Sequence, residues 1–147
     1  MAIKRSKRMA VVLDMAERAE KSAAQALEQA REQTIHAQQQ LQQVTEYQAE
    51  YERELNQPRQ GVSVQALMND RLFLSQLVQV VGAQTGQLEQ LKDNEQKILH
   101  NWQLCYQRRR NIESLIANLK NEEDAELDKK LQKEMDELSM ISHRRNR

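Results

Sequence analysis

Asn56-Gln57-Pro58-Arg59-Gln60-Gly61 is the stretch on which the reading of this chain turns. Proline lacks an N–H and its ring clashes with the preceding turn, so a helix cannot run through Pro58. Pro58 also biases Gln57 away from helical angles, and Gly61 permits a turn. This is the one place with clear breaker chemistry. The spacing predicts a first helix over about residues 6–56, a turn over 57–63, and a second helix over about 64–140. A basic tail, 141–147, follows, and the whole of 1–147 reads as one antiparallel coiled-coil domain.

Counting outward from the break tests both helices. Every third and fourth residue alternately, from Leu13 to Leu55, gives ten apolar residues in thirteen, with Glu20, Thr34 and Gln48 as exceptions. From Leu67 to Leu119 the same count gives twelve in sixteen, with Asp70, Gln84, Glu95 and Arg109 as exceptions. A stripe with that 3.5-residue repeat imposes a left-handed supercoil, and a disordered chain would not keep its register for so long. Several first-helix positions are Ala, which buries little area but lets helix axes approach closely. The fold class is therefore all-α: two long helices in an elongated antiparallel hairpin, since a short connection makes neighbours antiparallel. If Leu55 packs near Leu67, Leu13 lies near Arg109 and the N-terminal basic cluster lies near residues 114–118. At a rise of ~1.5 Å per residue the helices measure about 75 and 110 Å, so the second overhangs at the termini end. Beyond Leu119 its stripe shifts phase and continues as Leu127, Leu131, Leu138 and Ile141, with no intramolecular partner.

Composition agrees. The chain has 147 residues, five of them aromatic, with three Gly and one Pro, too few for many turns or a thick core. The rest is rich in strong helix formers, 30% is charged, and the mean hydropathy is −0.88. Formal net charge is zero and the pI about 6.8, so overall charge selects no class of partner and nucleic acid is disfavoured. The single Cys105 excludes an internal disulfide framework and fits a reducing compartment. No apolar run approaches the ~20 residues of a membrane span. Lys4, Arg5, Lys7 and Arg8 before Met9-Ala10-Val11-Val12-Leu13 imitate a signal peptide, but the apolar stretch stops at Asp14, short of the ~7–15 residues required. A cytoplasmic location is expected.

Catalysis needs convergent groups in a pocket, which a two-helix rod lacks, and His36, His100 and His143 are scattered without partners at metal-ligand spacing. We expect no enzyme activity, cofactor or metal site, with Cys105 and Trp102 as core residues. The basic clusters Lys4-Arg5-Ser6-Lys7-Arg8 and Arg108-Arg109-Arg110 fall at the same end of the hairpin, and together read as an electropositive patch aimed at an acidic surface. The bland alternative is solvated helix ends, which suits the last four residues. Tyr47, Tyr51 and Phe73 gather near the turn. Tyr51 and Leu77 lie on the stripe, whereas Tyr47, Phe73 and Val80 lie on its flank, where a two-stranded coil cannot fully bury them. They either shield the seam edge or form a partner-binding patch. Gly82 and Gly86 inside the second helix mark close packing or a flexible segment.

Tyr47-Gln48-Ala49-Glu50-Tyr51, the Gly-containing turn, Phe73 with Leu77, Trp102 followed by Arg108-Arg109-Arg110, and Lys133-Glu134-Met135-Asp136-Glu137 together resemble the FliJ family. These are coiled-coil components of the bacterial flagellar type III protein export apparatus, and the similarity covers essentially the whole chain. The resemblance implies a stalk similar to a rotary ATPase gamma subunit, seated in the export ATPase hexamer. It further implies contact with the cytoplasmic domain of the export gate, escort of substrate chaperones, and peripheral association with the inner membrane. Carried over by position, the gate-binding residues are Gln40, Val44, Tyr47, Tyr51, Phe73, Leu77, Val80 and Gln84. Val44, Val80 and Gln84 depart from the enteric-type pattern, in which Leu, Ala and His are expected. The ATPase is expected on Lys4, Arg5, Lys7, Arg8, Leu127, Leu131 and Leu138, with the gamma-like stalk entering its ring by the paired-termini end. The alternatives are an injectisome stalk of the same architecture, a homo-oligomeric structural coiled coil, and an adaptor that binds nucleic acid through its basic end.

Overall fold

The computed structural model describes residues 4–58 and 60–146. They form two helices, α1 (Arg5–Asn56, 52 residues) and α2 (Val64–Arg145, 82 residues), with no strand among the described residues. The pair is an antiparallel hairpin in which α2 overhangs at the termini end.

Chain reversal is local chemistry. The Gln57 N–H donates to the Glu54 carbonyl at 3.3 Å as α1 ends. Gly61 adopts φ 79°, a conformation a side chain would strain. Ser63 then caps α2: its Oγ accepts from the Ala66 N–H at 3.2 Å, and its carbonyl from the Leu67 N–H at 3.1 Å. At the far end α2 runs to Arg145, through most of the stretch read as a basic tail. Those residues stay helical because His143, Arg144 and Arg145 complement the carbonyl end of the helix.

The stripes become the interface. All thirteen α1 positions from Leu13 to Leu55 are buried or half-buried, as are all the α2 positions except Leu67. No described side chain is completely enclosed, as two helices alone dictate. The chain divides into two compact units, one of residues 23–102 and one of residues 1–22 with 103–147. In the first, Ala23, Leu27, Ala30 and Leu88 are buried. In the second, Ala16, Ile112 and Ile116 form a core against which Met9, Val12 and Leu13 pack.

Register departs from one expectation with distance from the turn: Arg31 meets Glu95, four residues beyond its predicted partner. In the unit of residues 23–102, Tyr51 meets Asp70, as pairing from the turn predicts. In the other unit Arg109 meets Glu20 instead of Leu13, and Ser6 meets Glu123, so the N-terminal cluster does not face residues 114–118. Contacts there lie one heptad further along α2. A seven-residue repeat does not by itself resist a slide of seven, so the polar contacts Glu20–Arg109 and Ser6–Glu123 fix the register there. A Cβ at Gly82 or Gly86 would meet nothing within 4 Å, so close packing does not account for either glycine.

Candidate protein-docking surfaces

Within residues 23–102 three of the four aromatics, Tyr47, Tyr51 and Phe73, form one cluster. Tyr51 and Phe73 have ring centroids 5.1 Å apart, and Tyr47 lies 6.3 Å from each, in tilted or edge-on geometries that suit ring quadrupoles. Tyr51 is half-buried and its hydroxyl donates to Asp70 Oδ1 at 2.8 Å, which fixes the ring at the seam. Tyr47 and Phe73 remain 49% and 38% exposed, too much for core residues and enough to present a face. Spacing explains the arrangement. Gln40, Val44, Tyr47 and Tyr51 recur at helical intervals along α1, and Phe73, Leu77, Val80 and Gln84 do so along α2. Val44, Leu77 and Gln84 are half-buried, whereas Gln40 and Val80 are exposed. Among the described residues, Gln84 Oε1 is buried without a hydrogen-bond partner.

In the unit formed by the chain ends, Glu123 holds the start of α1. Its carboxylate accepts from the Ser6 N–H at 3.1 Å and from Ser6 Oγ at 2.7 Å. The first turn of α1 carries no acidic residue of its own, so α2 supplies the cap. The hydroxyl and then the amide of Ser6 hold the Glu123 carboxyl below the usual range, with smaller help from Lys4 and Lys120 and against some desolvation. Arg109 sits on the stripe between Glu113 (2.8 Å) and Glu20, whose hydrogen bonds raise its pKa further, in that order. Its guanidinium also lies 5.2 Å from the centre of the Tyr106 ring, and that of Arg110 lies 5.8 Å from it.

The proposed electropositive patch is therefore reduced. Arg109 is matched by two carboxylates, which leaves Arg108 and Arg110 exposed with Lys4, Arg5, Lys7 and Arg8. Leu127, Leu131 and Leu138 are exposed, and every described residue from Asp124 onward is exposed as well. Trp102 and Cys105 are half-buried at the seam, and His36, His100 and His143 face solvent. Among the described residues no group of three His, Cys, Asp or Glu side chains is placed to hold a metal ion, and no helix is long and apolar enough to cross a membrane.

The Ser6–Glu123 and Glu20–Arg109 pairs escaped the sequence reading. Their signal was present in part: polar exceptions to an apolar stripe need partners, and most of these find one. Glu95 meets Arg31 at 3.6 Å, Thr34 donates to the Ala30 carbonyl at 3.0 Å, and Gln48 donates to Glu52 at 3.1 Å.

These features define a class: a two-helix coiled coil that leaves aromatic and aliphatic side chains exposed on its surface. A family model described as "Flagellar FliJ protein" matches residues 5–147. The chain belongs to the FliJ family, structural components of the flagellar export apparatus. Comparisons with curated proteins and with solved structures returned no match.

Proposed function

We propose that this chain is a non-enzymatic stalk of the flagellar export apparatus that links the export ATPase ring to the export gate and escorts substrate chaperones. The observation that carries the reading is the Tyr47–Tyr51–Phe73 cluster, with Tyr47 and Phe73 exposed, on a chain of this family. Aromatic side chains offer large contact area at low entropic cost, and clusters of them left in water mark interaction sites. The cytoplasmic domain of the export gate is assigned to Gln40, Val44, Tyr47, Tyr51, Phe73, Leu77, Val80 and Gln84. The ATPase hexamer is assigned to Lys4, Arg5, Lys7, Arg8, Leu127, Leu131 and Leu138, where exposed cations and an uncovered apolar face lie in one unit. Such a protein works in the cytoplasm, peripheral to the inner membrane.

Binding measurements on two variants test the assignment. Tyr47→Ala with Phe73→Ala should weaken binding to the gate domain by about tenfold or more, the scale of an interface hot spot, with little change in melting temperature. Arg5→Glu with Arg8→Glu should weaken ATPase association and make what remains less salt-sensitive, with gate binding intact. If the charge reversal spares the ATPase while the aromatic changes abolish its binding, the two surfaces have been assigned the wrong way round.

A further inference from the structure

The overhang of α2 carries a pattern that matches itself. After Glu123, the last residue of α2 seen to bond α1, the chain-end unit presents Asp124, Leu127, Leu131, Leu138, Ile141 and Arg145 along one helical face. Four of these are apolar and about half exposed or more: Leu127 50%, Leu131 48%, Leu138 66% and Ile141 52%. A second copy laid antiparallel, centred between Glu134 and Met135, sets Leu131 against Leu138, Leu127 against Ile141 and Ser142, and Asp124 against Arg145. The same contacts recur on the other side of the two-fold axis, as an isologous interface requires.

Charge and length choose the same occupant. The acidic run Glu122-Glu123-Asp124-Ala125-Glu126 and Asp128 would meet His143, Arg144 and Arg145 of the copy, whereas a parallel pair would stack like charges at both ends. The copy's helix reaches Arg145 at the level of Asp124, so it occupies the uncovered length of α2 and stops where α1 begins. We infer that the overhang is a self-association surface that pairs two copies of this chain antiparallel through residues 124–145. The inference stands on the face itself; because Leu127, Leu131 and Leu138 are also assigned to the ATPase, the dimer and that complex exclude each other.

Sedimentation equilibrium of the full chain tests it, with helicity of every variant checked by circular dichroism. The wild type should pass from monomer to dimer as concentration rises. Asp124→Lys with Glu126→Lys, and separately Arg144→Glu with Arg145→Glu, should each raise the dimer dissociation constant about tenfold or more, since attraction becomes repulsion at both ends. An equimolar mixture of the two variants should recover wild-type association, because each reversed end then faces an opposite charge. In a Cys105→Ser background, Met135→Cys should form a disulfide-linked dimer and Asp124→Cys should not, as only the centre lies beside its twin. A wild type that stays monomeric throughout, or variants that associate like wild type or fail to recover on mixing, overturns the inference. Cross-linking at residue 124 overturns its antiparallel sense.

Discussion

Polar residues on the stripes carry more information than the apolar ones around them. Glu20, Thr34, Gln48, Asp70, Glu95 and Arg109 are each hydrogen-bonded or ion-paired, so burying them is compensated. Gln84 is the exception, with a buried amide oxygen that has no partner. Gln84→Leu should raise unfolding free energy by about 1 kcal/mol in chemical denaturation, because it removes an uncompensated desolvation and adds apolar contact. A neutral or destabilising result would show that this oxygen is solvated. Glu123 gives a residue-level prediction of a different kind. Its carboxyl is held low in the folded chain by Ser6, so its contribution is present above the ordinary carboxylate range and is lost as pH falls through the depressed folded value. Titration of the Glu123 side chain by NMR should show a midpoint below that of an ordinary glutamate, and Ser6→Ala should move it upward toward the ordinary value. An unchanged midpoint in Ser6→Ala would place the cause elsewhere.

The two helices have different relations to their surroundings. α1 is matched along its whole stripe, whereas α2 leaves its last two dozen residues uncovered and so must draw their helicity from intrinsic propensity and end charges or from another protein. Ala16, Ala23, Ala30 and Ala37 recur every seventh residue in α1, so small side chains line one edge of the seam and bury little area each. Gly82 and Gly86 weaken α2 in its interior without any packing return, since open space lies beside both. Gly82→Ala and Gly86→Ala should each stabilise the chain by about 1 kcal/mol, read from denaturant midpoints. If either substitution instead destabilises, the glycine accommodates a contact present in solution. A gain in stability accompanied by weaker gate binding would tie these glycines to function through the malleability of the helix.

For the whole molecule, zero net charge conceals a strong segregation of sign. Lys4, Arg5, Lys7 and Arg8 open the chain, acids dominate 122–128, and His143, Arg144 and Arg145 close α2. Such patterning contributes little to folding in water but steers encounter and sets orientation, which suits the docking role proposed above. The exposed apolar residues divide in the same way, with aromatics near the turn in one unit and leucines on the overhang of the other. Membership of the FliJ family places the chain with the structural parts of the flagellar export apparatus.

The amino-acid sequence by itself determined the two helices, the break at Pro58 and Gly61, the antiparallel relation and the buried stripes. Each follows from local propensity or from a period that many residues repeat, so single errors average out. The exposed aromatics were legible for the same reason, as flank positions of a known stripe. Only the tertiary structure decided the register of the chain-end unit, the cap that Glu123 places on α1, and the withdrawal of Arg109 from the basic patch. Those depend on which heptad of α2 lies beside which heptad of α1. A pattern that repeats every seven residues is nearly indifferent to a slide of seven, so a few specific polar contacts between residues about ninety or more apart in sequence settle it.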